Sequence, residues 1–260
     1  MIKVAVMGAG GRMGREVVKA VAGVPDMELV GACDIAFAGS DVSRVTGVGG
    51  VNLEMKADLE SMIADAIPDV VVDFAKPFVM ENTRLAMRRH IVPVIGTTGL
   101  TADEVAEISR LADQTGTGAM VIPNFAIGAV LMMKFAAEAA KYMPNVEIIE
   151  LHHDKKTDAP SGTSIKTAEM IDEARAGIDW EKPLGGDDPA RGEKRCGVQI
   201  HSVRLPGLVA HQEVIFGGTG QALTIRHDSI DRTSFMPGVL LAVRRASTIK
   251  GLVHGLDKLL

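Results

Sequence analysis

Three features predict an α/β protein built in two parts. Strand-like and helix-like segments alternate along residues 2–122, the signature of a parallel sheet covered by helices on both faces. A glycine-dense turn, Gly8-Ala-Gly-Gly-Arg-Met-Gly14, joins the first strand to the first helix. Beyond residue 197, three strand-like runs follow one another without a helix between them, which predicts an α+β domain with an antiparallel or mixed sheet. The chain is therefore expected to divide into residues 1–125 and residues 126–235, with residues 236–260 packing back on the first part.

The elements follow in order. Residues 2–7 form a short apolar run that reads as a buried strand, and the helix expected over 15–22 places Val17, Val18 and Val21 on one face. A strand over 27–33 ends at Asp34. Helices at 59–66, 79–89 and 102–114 alternate with strands at 70–74, 92–95 and 119–122. The pattern changes after Pro123: a long helix over 128–141, a strand over 146–151 and a helix over 164–174. Residues 180–195 are rich in Gly, Pro and charge and read as a mobile surface loop. Strands at 197–204, 210–217 and 221–228 and a helix at 236–245 complete the series.

The bulk composition narrows the function. The chain has 260 residues, 47% hydrophobic and 23% charged, ordinary values for a globular protein. A net charge of −5 argues against broad nucleic-acid binding, although Lys155-Lys156 forms a local basic pair. The apolar stretch 126–140 is interrupted by Lys134 and is too short to span a bilayer, so no membrane role is expected. The opening residues read as a strand and not a targeting segment. With only Cys33 and Cys196, the expectation is a cytoplasmic protein with reduced thiols.

The glycine turn lies between strand and helix, the context of a Rossmann-type dinucleotide site. The common Gly-x-Gly-x-x-Gly spelling fails at Met13, but glycines recur at Gly8, Gly11 and Gly14. The backbone of Gly8, Ala9, Gly10, Gly11, Arg12 and Met13, together with the helix N-terminus, is expected to hold a pyrophosphate. A merely structural turn is the alternative. Asp34, twenty residues beyond Gly14, is placed to accept ribose hydroxyls and to repel a 2′-phosphate, favouring NAD; a strand-end cap is its plainer role. Ile35 offers a phosphate no charge, whereas Arg12 and Lys76 leave NADP open. Gly96-Thr97-Thr98-Gly99 follows a parallel strand, where its hydroxyls can meet a nicotinamide carboxamide or simply form a loop. Pro123, Asn124, Phe125 and Ala126 end another strand, as cofactor contacts or as a hinge.

The densest chemistry is in Glu150-Leu-His-His-Asp-Lys-Lys-Thr-Asp-Ala-Pro-Ser-Gly-Thr163. Here His152, His153, Lys155 and Lys156 lie within five residues. Proton-transfer groups next to a small-residue turn point to acid/base work on an anionic substrate. No metal is expected, because adjacent histidines lack the spacing of a helical zinc pair and no Cys or acidic cluster supports them. A solvated charged loop is the remaining alternative. Ser161, Gly162 and Thr163, before a helix, can offer N–H groups and hydroxyls to a carboxylate or cap that helix. The other five histidines read as structural or surface residues.

Taken together, GAGGRMG at 8–14, GTTG at 96–99, NF at 124–125, ELHHDKKTDAPSGT at 150–163 and LTIRHDSIDRTSFMPGVLLAVR at 223–244 resemble the 4-hydroxy-tetrahydrodipicolinate reductase (dihydrodipicolinate reductase) family. The resemblance covers essentially the whole chain. It implies NADH- or NADPH-dependent reduction of a small dicarboxylate in diaminopimelate and lysine biosynthesis, and a homotetramer formed through a C-terminal domain with a mixed sheet. It also implies that His152 is the proton donor/acceptor and Lys156 the proton donor, with His153, Gly162 and Thr163 contacting substrate. Two departures stand out. Asp154-Lys155 replaces the frequent Arg-His, and Ile35 replaces a basic residue common after the ribose acid, which places strong NADP preference in doubt. The competing readings are another two-domain NAD(P)-dependent reductase of a keto or amino acid, and a nucleotide-sensing regulator; the 150–163 block favours neither.

Overall fold

A computed structural model describes residues 1–178 and 188–260. The chain divides into two compact units, residues 1–125 with 235–260, and residues 126–234.

The first unit is built on a six-stranded parallel sheet: β1 (Ile2–Met7), β2 (Met27–Cys33), β3 (Val70–Asp73), β4 (Val92–Ile95), β5 (Ala119–Val121) and β11 (Leu252–His254). The spatial order is β11-β5-β4-β3-β1-β2, so the order reverses beside β1. Parallel strands place their carboxyl ends on one edge, and the reversal opens a crevice there. The strands are Val-rich and buried, as a sheet covered on both faces requires. Its helices are α1 (Arg12–Ala22), α2 (Val42–Thr46), α3 (Leu59–Asp65), α4 (Val79–Arg88), α5 (Ala102–Thr115) and α8 (Met236–Arg245). As expected, α1 buries Val17, Val18 and Val21, but it starts at Arg12 and not at 15. Gly14 lies inside the helix, and it is a glycine because a Cβ there would come 2.0 Å from the Gly8 carbonyl oxygen. The tail returns to this unit through β11, which lies parallel to β5.

The second unit carries α6 (Ile127–Ala140), α7 (Gly162–Ala174) and a five-stranded mixed sheet. Its strands are β6 (Asn145–His152), β7 (Glu193–Arg195), β8 (Val198–Arg204), β9 (Ala210–Gly218) and β10 (Gln221–Ser229), in the order β10-β9-β6-β8-β7. Only β6 and β8 run parallel. Alternate residues Val146, Ile148 and Glu150 of β6, Gln212, Val214 and Phe216 of β9, and Val198 and Ile200 of β8 are buried, on the face that α6 and α7 pack against. The opposite face is half-exposed and mixed: Ile149, Leu151 and Ile215 lie among Glu147, His201, His211 and Glu213. Of the loop expected over 180–195, residues 180–187 lie outside the described residues. The remainder is not a loop: Pro189–Arg191 is a 3-10 turn and Glu193–Arg195 is the edge strand β7, pinned antiparallel to β8.

Candidate functional site

The glycine turn and the ends of β2 to β5 lie on the carboxyl edge of the first sheet. Gly8 has a φ of +72°, a left-handed conformation that a side chain would strain. Gly11 caps α1 with no side-chain hydrogen bond and no acid follows in the first turn, so the helix N-terminus keeps the character of an anion site. Asp34 accepts the Gly10 N–H at 3.0 Å and the Ala36 N–H at 3.0 Å. Its carboxylate thus caps the 3-10 turn Ile35–Phe37 and also ties the glycine loop to β2. Arg12 is exposed, while Arg15 is committed to the Gly10 carbonyl at 2.7 Å and lies over the Phe37 ring.

Next to this loop is a cleft of about 410 Å³ lined by Met13, Phe74, Lys76, Gly96, Thr97, Thr98, Pro123, Asn124, Phe125 and Phe235. It gathers seven of the residues expected to bind cofactor. Phe74 and Phe235 were not foreseen, since a lone aromatic at a strand end carries no signal in sequence. A Cβ on Gly96 would meet the Phe74 ring at 2.2 Å, which explains the glycine there. Thr97 is buried and its hydroxyl donates to the Asp73 carbonyl at 3.3 Å, so of the threonine pair Thr98 is the exposed one. Ala126 does not line the cleft. It is buried at the N-cap of α6, where its carbonyl accepts the Val130 N–H.

In the second unit, β6 ends at His152, and its alternation puts Ile148, Glu150 and His152 on one face. The parallel register aligns Glu150 with Ser202 and His152 with Arg204, residues that are far away in sequence. Glu150 is fully buried, and Arg204 clamps it with N–H groups at 2.8 and 2.9 Å. His152 Nδ1 lies 2.5 Å from Glu150 Oε2, an oxygen it shares with one of the Arg204 N–H groups. Burial works to raise the Glu150 pKa, but hydrogen bonds from His152, Arg204 and Ser202 overcome it and hold the carboxyl at about 2. Lys156 follows a turn closed by its own N–H to the His153 carbonyl, and its ammonium meets both Asp158 oxygens at 2.7 and 2.6 Å.

Beyond them α7 begins at Gly162, two residues earlier than expected. Ser161 is its N-cap: the hydroxyl accepts the Ser164 N–H at 3.2 Å, and the Ser161 N–H donates to Glu150 at 3.3 Å. With Ser161 only 3% exposed, its groups serve the fold; Gly162 is exposed and Thr163 half-buried at the first turn. His153 keeps a buried Nδ1 with no hydrogen-bond partner among the described residues. Glu150 and Arg204 are the residues that sequence reasoning left without a role. Glu150 stood at the head of the block, but nothing local revealed its partner. Among the described residues, no group of three His, Cys, Asp or Glu side chains is arranged to hold a metal ion.

A dinucleotide-type parallel sheet in one unit, and a cluster of histidine, lysine, arginine and carboxylate side chains in the other, are the marks of a nicotinamide-dependent oxidoreductase. The comparisons make the assignment particular. The family model described as "Dihydrodipicolinate reductase, N-terminus" matches residues 2–125, and the one described as "Dihydrodipicolinate reductase, C-terminus" matches residues 128–260. The chain is 51% identical to the 4-hydroxy-tetrahydrodipicolinate reductase of Desulfitobacterium hafniense, covering 100% of this chain and 98% of that one. It is 49% identical to that of Listeria innocua, covering all of both. A solved dihydrodipicolinate reductase from Paenisporosarcina sp. TG-14, with dipicolinate bound, superposes with a TM-score of 0.85 at 46% identity over the whole of each chain. An amine dehydrogenase from Mycobacterium smegmatis shares the fold alone, at a TM-score of 0.70 and 14% identity over 98% of this chain and 95% of that one. This chain belongs to the dihydrodipicolinate reductase family.

Proposed function

We propose that the protein reduces 4-hydroxy-tetrahydrodipicolinate to tetrahydrodipicolinate, in diaminopimelate and lysine biosynthesis, with hydride from NADH or NADPH. The observation that carries this reading is the intact 150–163 block, His152 and Lys156 each with an ionic partner, in a chain about half identical to reductases of that name.

The first unit fits a nicotinamide nucleotide. The Gly11-capped end of α1 suits the pyrophosphate, Asp34 the ribose hydroxyls, and the cleft of Thr98, Asn124 and Phe125 the nicotinamide end. When bound, the nucleotide supplies the hydride; the protein's part is to hold and orient it. In the second unit, Gly162, Thr163 and His153 contact the substrate carboxylates, and the dipicolinate in the Paenisporosarcina relative supports a small dicarboxylate. Lys156 delivers a proton to the developing anionic centre and His152 exchanges protons as general acid/base. The half-exposed apolar residues Ile149, Leu151 and Ile215 on the open sheet face support self-association, and the homotetramer is the form proposed. Two free cysteines, and no helix long and apolar enough to cross a membrane among the described residues, support work in the cytoplasm.

Mixing the pure protein with NADH and enzymatically generated substrate tests the reading. Substrate-dependent loss of NADH absorbance is expected; none with either nucleotide would refute it.

A further inference from the structure

Glu150 is a fully buried charge that the proposed reduction does not itself consume. Its oxygens are surrounded by donors: two N–H groups of Arg204, the Ser161 N–H and His152 Nδ1. Arg204 reaches further. One of its N–H groups donates to the Asp158 carbonyl at 2.7 Å, and Asp158 is the residue that grips Lys156. A second donates to the Val203 carbonyl at 2.8 Å, while Nε is buried without a hydrogen-bond partner among the described residues. One guanidinium therefore connects the partners of both proton-transfer side chains. As a device for stability alone this is poor, since well-packed apolar residues often replace a buried ion pair without loss.

We propose that Glu150 and Arg204 are positioning residues of the reaction: Glu150 sets the tautomer and ring orientation of His152, and Arg204 locks that carboxylate and the 158 backbone in one frame. The proposal rests on the reading of His152 as the proton-exchanging group. An ionised carboxylate can only accept hydrogen bonds, so the neutral imidazole must carry its hydrogen on Nδ1. Nε2 is then the nitrogen left to exchange a proton with substrate. Because the guanidinium holds both oxygens in a fork, the carboxylate cannot rotate, and neither can the ring it orients.

The test compares kcat for wild type, Glu150→Gln, His152→Gln and the double variant, with NADH affinity and melting temperature measured alongside. Since a positioned acid/base group is worth about 10²–10⁴-fold, Glu150→Gln is expected to lower kcat by about 10- to 10³-fold with NADH affinity unchanged. Because Glu150 acts through His152, the double variant is expected to match His152→Gln within about twofold. If His152→Gln keeps near-normal kcat, the reading of His152 itself fails and this proposal goes with it. If His152→Gln is slow but Glu150→Gln is not, only the positioning role is overturned. A double variant slowed by the product of the two single effects also overturns it. Should Glu150→Gln not fold, nitrogen NMR of histidine-labelled wild type decides: the neutral ring is expected to be protonated at Nδ1, and protonation at Nε2 would overturn the assignment.

Discussion

Among the described residues each unit buries one carboxylate, and the two are driven in opposite directions. Asp73, 1% exposed at the end of β3, accepts the Ala75 N–H at 2.7 Å and the Asn82 amide at 2.8 Å. Burial pushes it up to about 6, and these neutral donors offset that only in part. Glu150 is at least as buried, yet a guanidinium, an imidazole and a hydroxyl hold it at about 2. Burial alone does not decide the charge of an acid; the number of its donors, and a charged guanidinium among them, also count. The first unit uses its carboxylate to tie the turn after β3 to α4, while the Asp73 backbone carbonyl accepts the Gly96 N–H and the Thr97 hydroxyl. The second unit uses its own to keep a negative charge beside His152, the group proposed to exchange protons.

The pH dependence of stability is the broadest way to break this contrast. Glu150 is depressed from its ordinary value of 4.5, so its contribution is present above pH 4.5 and is lost as pH falls towards about 2. Asp73 is raised from 3.8, so its contribution is present below pH 3.8 and is lost as pH rises through about 6. Each is worth on the order of 3 kcal/mol. Denaturant unfolding from pH 2 to 7 is expected to lose its rising limb between pH 2 and 4.5 in Glu150→Gln. In Asp73→Asn it is expected to lose the falling limb between about pH 4 and 6, because the Asn82 amide can turn to accept the new NH₂. Limbs that persist in both variants would place the titrations elsewhere.

At the turn proposed to hold substrate, Thr163→Val keeps shape and branching and removes a hydroxyl. Loss of one hydrogen bond to a carboxylate costs about 1.5–3 kcal/mol, so KM for the dicarboxylate is expected to rise by about 10- to 150-fold. A lower melting temperature with unchanged KM would instead make Thr163 a helix support like Ser161. In the nucleotide unit, Gly14→Ala puts a methyl against the Gly8 carbonyl. Overpacking of about 1–3 kcal/mol predicts NADH binding weakened by about 5- to 150-fold. Substrate-analogue binding by the second unit should be spared, and equal loss of both would erase the division of roles. The smallest effect concerns nucleotide choice. In the proposed ribose site Asp34 would repel a 2′-phosphate and Ile35, 61% exposed, would add no cation, so kcat/KM with NADH should equal or exceed that with NADPH. A preference of about tenfold for NADPH would hand control to Arg12 or Lys76.

Much of the fold was legible because long segments carry a clear period. The strand over Met27–Cys33 and the helix over Met236–Arg245 have the expected bounds. The start of α1 was displaced because glycines that signal a turn also permit close helix packing, as at Gly14. Elements of three to five residues, such as Val42–Thr46, Glu193–Arg195 and Leu252–His254, are too short to show a period and depend on tertiary pairing. His152 and Lys156 stood out by local density. Arg204 did not, because its link to Glu150 exists only through the parallel register of β6 and β8.

Proton transfer and nucleotide binding should separate cleanly between the two units. Titrating NADH into His152→Gln and Lys156→Ala, and measuring kcat on the same preparations, tests this most directly. Each variant is expected to bind NADH with a Kd within about twofold of wild type while kcat falls by about 10²-fold or more. A near-normal kcat in either variant, or a loss of NADH affinity as large as the loss in rate, would contradict the assignment of proton transfer to His152 and Lys156.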